Sequence, residues 1–258
     1  MNAYQKVQLA RSNLRPDANA YISRLIEGFI ELHGDRRYAD DAAVVAGLGY
    51  FEGQCVTVLS LEKGVDTPER LRRNFGSAQP EGYRKSLWHM RQAEKFKRPV
   101  LCLVDTAGAA CGMGAEERGQ GQAIAENLWE MMGLTVPVLS VIIGEGGSGG
   151  ALALACANRV YMLENAIYSV LSPEGAASII YKDAGKVEEA SEALKLSAQD
   201  MLRFGVIEEI LPEGSQFELA APAIREAFVK GLEQMKGLSG EQIRSQRYAR
   251  FAKLGGDF

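Results

Sequence analysis

The strongest constraint on the fold is a unit that occurs twice. Pro99-Val100-Leu101-Cys102-Leu103-Val104 is an unbroken apolar run, followed by a glycine-rich turn over 105–114 and a helical segment to about Met132. Pro137-Val138-Leu139-Ser140-Val141-Ile142-Ile143 repeats the arrangement 38 residues later (137 minus 99), with its own glycine-rich turn over 144–150 and its own helix. Apolar runs of this length read as buried strands, and a strand that returns through a crossover helix pairs parallel to the one before it. The chain therefore belongs to the α/β class, with helices packed on a sheet.

The flanks extend this core. Pro16 and Asp17 open a helix whose apolar positions Tyr21, Ile22, Leu25, Ile26, Phe29 and Ile30 share one face, ending at Gly34. Residues 44–51 and 55–61 read as strands around a Glu52-Gly53 turn, 63–79 as a surface connection, and 80–96 as a helix begun by Pro80. Beyond the repeat, short strands at 159–163, 167–171 and 206–211 alternate with helices from Pro173, Lys186 and Ala198. A closing amphipathic helix spans 217–235, and the polar tail from Gly237 is expected to be loose. No linker divides the 258 residues, so one domain is expected, with its core over 15–212 and a C-terminal helix and tail over 213–258.

Composition narrows the function. With 47% apolar residues the chain can bury a sizeable core, and a net charge of -4 offers no basic footprint for nucleic acid or a membrane surface. No apolar run approaches the ~20 residues that span a bilayer. Residues 1–15 are polar and mixed, unlike a secretory signal, which points to the cytoplasm. The four cysteines form no C-x-x-C pair, so neither a zinc site nor a disulfide framework is expected. Cys55, Cys102 and Cys156 lie in apolar runs and read as core. Cys111, in a glycine turn, is expected to be exposed, but no base nearby would activate it.

The run Gly144-Glu145-Gly146-Gly147-Ser148-Gly149-Gly150 fits several motifs. As G-x-G-x-x-G with Glu164 about 20 residues on, it would mark an NAD-dependent oxidoreductase, although that motif belongs on the first strand of its domain. As G-x-S-x-G it would make Ser148 a nucleophile, yet the only histidines, His33 and His89, both precede it. No lysine follows as a P-loop requires. A further reading is an oxyanion hole: glycines let the backbone approach a ligand, and a helix starting at Gly149 would add its N-terminal amides. A close helix–strand contact without chemistry is the plainer reading. The turn at 105–112 would supply a second set of amides. Two such turns with hardly a base between them suit enolate chemistry.

Six ordered stretches carry a resemblance. They are His33-Gly34-Asp35-Arg36, Arg73-Asn74-Phe75-Gly76, Pro80-Glu81-Gly82-Tyr83-Arg84-Lys85, Gly114-Ala115-Glu116-Glu117-Arg118-Gly119-Gln120-Gly121, the run 144–150, and Ser172-Pro173-Glu174-Gly175-Ala176-Ala177-Ser178. Over roughly 15–212 the chain resembles the alpha-subunit family of bacterial acetyl-CoA carboxylase carboxyltransferase. The resemblance implies a crotonase-like fold of repeated ββα units with flanking helices. It also implies an α2β2 assembly with a zinc-ribbon beta subunit, and no metal in this chain. The implied reaction carries the carboxyl group from carboxybiotin on a biotin carboxyl carrier protein to acetyl-CoA, giving malonyl-CoA for fatty acid synthesis. Its site lies between the subunits, with biotin on the alpha side and most of the CoA on the beta side. Backbone amides would stabilise the ureido charge, and the biotin nitrogen would take the methyl proton, so no side-chain base is needed.

The resemblance places the amide donors at Gly108 with Ala109 and at Gly149 with Gly150. Gly112, Gly146, Gly147, Ala110 and Cys111 would line the biotin or substrate pocket. Arg72, Arg73, Arg84 and Lys85 form a basic cluster that would meet CoA phosphates or an acidic partner, or simply face water. His33 reads as capping a helix end or making a local hydrogen bond, His89 as surface or interface, and Glu116, Glu117 and Arg118 as the first turn of a helix. One departure stands out: Ala110-Cys111 replaces the family's Tyr-Pro. That loss would enlarge the pocket and loosen the turn. It keeps open a paralogue for another acyl-CoA and a non-catalytic scaffold subunit.

Overall fold

Eight strands form one mixed sheet in the computed structural model, which describes residues 1–255. The chain opens with α1 (Ala3–Ala10), capped by Asn2, and α2 (Ala18–Leu25), capped by Asp17. Next come β1 (Glu27–Glu31), β2 (Val44–Phe51) and β3 (Gln54–Leu61), an antiparallel meander turned between β2 and β3 at Glu52 and Gly53. α3 (Thr67–Arg72) and α4 (Pro80–Lys95) lead to β4 (Val100–Thr106). α5 (Met113–Glu117) and α6 (Gln120–Gly133) cross to β5 (Val138–Gly147). α7 (Ser148–Leu152) then leads to β6 (Arg159–Leu163) and β7 (Ile167–Ser169). α8 (Pro173–Ala176), α9 (Val187–Leu194) and α10 (Ala198–Arg203) precede β8 (Glu209–Leu211). α11 (Ala220–Met235) and α12 (Gly240–Ala252) follow.

The strand order is β1-β2-β3-β4-β5-β6-β8, with β7 paired to β5. From β3 onward every pairing is parallel, as the crossover helices demand. All seven residues of β4 are buried, as are the first nine of β5, which explains why both read as continuous apolar runs. The two strands pair regularly from Val100 opposite Val138 to Val104 opposite Ile142, and then the register shifts so that Thr106 faces Gly146. Past this irregularity, residues 145–147 of β5 pair with β7 instead of β6. Past the irregularity β4 and β5 still pair, and the glycine turns begin at their ends.

Three expectations need correction. The helix from Asp17 stops at Leu25; Ile26 is extended and Phe29 and Ile30 belong to β1. Gly47 and Gly49 of β2 make room for that strand, since a Cβ at Gly47 would lie 2.2 Å from the Ile30 carbonyl oxygen. Residues 63–79 are not merely a surface connection: they hold α3 and turn Lys63 inward. The tail forms α12, anchored by Arg247, whose side chain is fully buried and donates to the carbonyls of Leu134 (2.7 Å) and Val136 (2.9 Å) and to Asn158 Oδ1 (2.6 Å).

Candidate active site

The two glycine turns meet. A Cβ at Gly147 would lie 2.1 Å from the Ala107 carbonyl oxygen, and one at Gly150 would lie 2.5 Å from the Ala109 nitrogen and 2.8 Å from the Tyr83 hydroxyl. Only glycine at 147 and 150 allows that approach. In the first turn, Thr106 Oγ1 accepts the Gly108 N–H at 3.0 Å and donates to the Gly108 carbonyl at 2.9 Å. This local loop holds Gly108 at φ 146°, a conformation that favours glycine. In the second, β5 continues through Gly147, and Ser148, at φ 56°, turns the chain into α7.

Hydrogen-bond accounting decides which amides are available. Gly108 N–H is taken by Thr106, and Ala110 N–H donates to the Ala78 carbonyl at 2.9 Å. Among the described residues, the N–H groups of Ala109, Gly149 and Gly150 meet no acceptor. The expected donor pair Gly108 with Ala109 thus reduces to Ala109, because a hydroxyl two residues upstream takes the other amide. Gly149 and Gly150 lie in the uncapped first turn of α7, where free amides point outward. Gly146 and Gly147 are strand residues beside this point, and Gly112, at φ 115°, starts α5 beyond it. Ala110 is buried and pinned at both ends, because Gln120 Nε2 donates to its carbonyl at 2.9 Å. The turn is therefore anchored without the ring and proline that Ala110 and exposed Cys111 replace.

Beside Ser148 and Gly149 opens an apolar cavity of about 310 Å³, walled by Leu152, Tyr168, Val170, Leu194, Met201 and Val206. Two larger concavities, about 980 Å³ near Lys97 and Lys236 and about 910 Å³ near Trp129 and Tyr248, lie away from the turns and are not lined by them. At the start of the turns lies an ionic cluster that the sequence pattern does not reveal, largely buried at Lys63, Asp105 and Glu145 and open to solvent at Arg11 and Glu174. Lys63 Nζ bridges Asp105 Oδ1 (2.9 Å) and Glu145 Oε2 (2.5 Å), while Arg11 holds Glu145 (2.7 Å) and Glu174 (2.6 Å). Burial opposes these charges, yet the opposite partners outweigh it: Lys63 is held above its usual pKa and Glu145 below the usual carboxylate range.

The basic cluster is not a free patch. Lys85 is fully buried and donates to Asp40 Oδ1 (2.7 Å) and the Asp41 carbonyl (3.1 Å). Arg84 pairs with Asp35 (2.8 Å), and Arg73 with Glu69 (2.9 Å) and the Ala42 carbonyl (2.8 Å). These three are expected to meet CoA or a partner; in this chain each is engaged by an internal carboxylate. Arg118 likewise pairs with Glu81 (2.5 Å); it caps the C-terminal end of α5 and does not lie in the first turn of a helix. His89 is buried, not at the surface, and His33 follows β1 and contacts Asp40 at 3.0 Å. No base bonds the Ser148 hydroxyl among the described residues. Residues 144–147 are extended strand and not a phosphate-wrapping loop, and the Glu164 carboxylate accepts the Glu213 N–H at 2.9 Å. The nucleophile and dinucleotide readings therefore lack their geometry. Cys102 and Cys156 are core as expected, whereas Cys55 is half-buried. No group of three or more His, Cys, Asp or Glu side chains is placed to hold a metal among the described residues, and no helix there is long and apolar enough to cross a membrane.

This fold is shared with carboxyltransferases of the crotonase-like superfamily. The chain superimposes on transcarboxylase 12S with hydrolysed methylmalonyl-coenzyme A bound at a TM-score of 0.72 (19% identity, 88% of this chain and 42% of that one). It also matches a Pseudomonas malonate decarboxylase hetero-tetramer in complex with coenzyme A at 0.68 (19% identity, 84% of this chain and 89% of that one). Residues 1–255 match the family described as acetyl co-enzyme A carboxylase carboxyltransferase-like. The chain is 54% identical to the acetyl-coenzyme A carboxylase carboxyl transferase subunit alpha of Ruminiclostridium cellulolyticum (99% of this chain, 98% of the relative). It is 51% identical to that of Clostridium perfringens (98% and 95%) and 50% identical to that of Listeria welshimeri (99% and 82%). The chain belongs to the acetyl-CoA carboxylase carboxyltransferase family, in its alpha-subunit branch.

Proposed function

We propose that this chain, with a beta subunit in an α2β2 assembly in the cytoplasm, transfers the carboxyl group from carboxybiotin on a carrier protein to acetyl-CoA, forming malonyl-CoA for fatty acid synthesis. The observation that carries the reading is the contact that sets Gly150 against Ala109, in a chain of this family whose Ala109, Gly149 and Gly150 N–H groups have no acceptor among the described residues. Such fixed dipoles stabilise an oxygen that gains negative charge, without reorganising as it does so. The site suits a biotinyl group, because the cavity beside the amides is apolar and about 310 Å³, within the size range of small-molecule sites. When bound, that group supplies the carboxyl and, once it has given it up, a basic ureido nitrogen. The chain's own part is to hold the anionic oxygen on the amides and to exclude water with Leu152, Tyr168 and Leu194. It brings no histidine to the turns, in keeping with a reaction whose base arrives with the substrates.

The test is malonyl-CoA formation from a carboxylated biotin carrier and acetyl-CoA, with the chain alone, the beta subunit alone and the two together. Product only from the mixture is the expected result. A stable complex that carboxylates a different acyl-CoA in place of acetyl-CoA would favour the paralogue, and one inactive on every acyl-CoA would favour the scaffold.

A further inference from the structure

Each amide turn starts from a buried carboxylate placed four residues before a free amide: Asp105 before Ala109, and Glu145 before Gly149. The two carboxylates are not independent. Asp105 Oδ1 accepts the Glu145 N–H at 2.8 Å, so its side chain takes a place in the β4–β5 junction, and Gly144 leaves the room for it, since a Cβ there would lie 2.4 Å from that oxygen. Both carboxylates then share one ammonium, Lys63 Nζ. Left uncompensated, two negative charges at the start of the amide turns would repel an anionic oxygen and each other.

Resting on the carboxyltransferase reading, we infer that Lys63, assisted by Arg11, is a positioning residue: it ties the two amide turns together through Asp105 and Glu145 and cancels their charge where the turns begin. Lys63 touches no reacting atom in this account; it acts through the turns. Arg11 makes the N-terminal segment part of the same device, since its guanidinium joins Glu145 to Glu174 at the start of α8. The other ionisable groups facing the cluster are Tyr21 from α2 and the buried pair of Arg15 and Glu213, in which Arg15 also donates to the Ile143 carbonyl at 2.7 Å.

The test compares the intact alpha–beta complex of wild type, Lys63→Met and the double variant Lys63→Met/Glu145→Gln in steady-state malonyl-CoA formation across the neutral pH range. Lys63→Met is expected to lower kcat by about 10- to 100-fold with KM for acetyl-CoA unchanged. It should also acquire a pH dependence beyond that of wild type, with kcat recovering as pH falls, because one carboxyl of the unpaired couple then takes a proton. The double variant, which removes one of the two charges, should regain most of the lost kcat and lose the new pH dependence; if Lys63→Met does not fold, its activity relative to wild type decides the matter. A wild-type kcat in Lys63→Met overturns the inference. So does equal impairment of both variants with the wild-type pH profile, which would mark a merely structural lysine. A wild-type complex that makes no malonyl-CoA overturns the functional reading instead, and this inference with it.

Discussion

His89 shows how far a single side chain's surroundings can displace its chemistry. It lies in α4 at 1% exposure, with Nε2 unpartnered. Burial first, then the positive charges of Lys85, Arg36 and Arg98, push its pKa down from 6.5 to about 4. The unfolded chain binds a proton there in that window and the folded chain does not. Stability from this residue is therefore intact above pH 6.5 and lost as pH falls toward 4, by roughly 3 kcal/mol. Glu62 works with the opposite sign. Burial and then Asp17 raise it from 4.5 to about 7, so it costs stability as pH rises through that range. His89→Leu should remove the acid-side loss and leave the Glu62 contribution. Urea unfolding of both chains at several pH values checks this, and identical pH slopes would contradict it. In the sequence His89 was merely a mid-helix histidine; its burial depends on what packs over α4. The internal partners of Arg84 and Lys85 are illegible for the same reason, since Asp35 and Asp40 lie 49 and 45 positions upstream and only the fold brings them together.

At the scale of elements, legibility followed the strength of the repeating pattern. β4 and β5 were legible because burial on both faces leaves an apolar run that nothing else imitates. The β2–β3 hairpin was legible from Glu52-Gly53. β1 was not, because the helical spacing of α2 runs on into Phe29 and Ile30, and the glycines of β2 that accept the strand are distant in sequence. α12 is illegible because the face it turns to the core, Ile243, Arg247 and Phe251, has an arginine at its centre, and arginine reads as surface. Arg247 donates to the carbonyls that follow α6 and bridges to Asn158, and burial pushes its pKa down to about 10. Arg247→Ala would leave those buried acceptors unpaired and is expected to destabilise the chain by about 2–4 kcal/mol. Denaturant midpoints measure it; an unchanged midpoint would mean that α12 adds nothing to the fold.

For the whole molecule, the doubled strand–turn–helix unit was the part of the site that sequence could show, because glycines at 108, 147 and 150 are spaced by backbone geometry. Which amides remain free was not legible, since that depends on Thr106 taking Gly108 and on Gln120 and Ala78 holding Ala110. Nor was the ionic cluster, whose members come from residues 11, 63, 105, 145 and 174. The central claim is that contact between the two turns sets the amides of Ala109, Gly149 and Gly150 for catalysis. It is tested most directly by the kcat of Gly150→Ala in the assembled alpha–beta complex. The added methyl would lie 2.5 Å from the Ala109 nitrogen and must push the turns apart. The expected result is a loss of about 10²–10³ in kcat with the complex still formed, whereas a Gly150→Ala complex that makes malonyl-CoA at the wild-type rate would contradict the account.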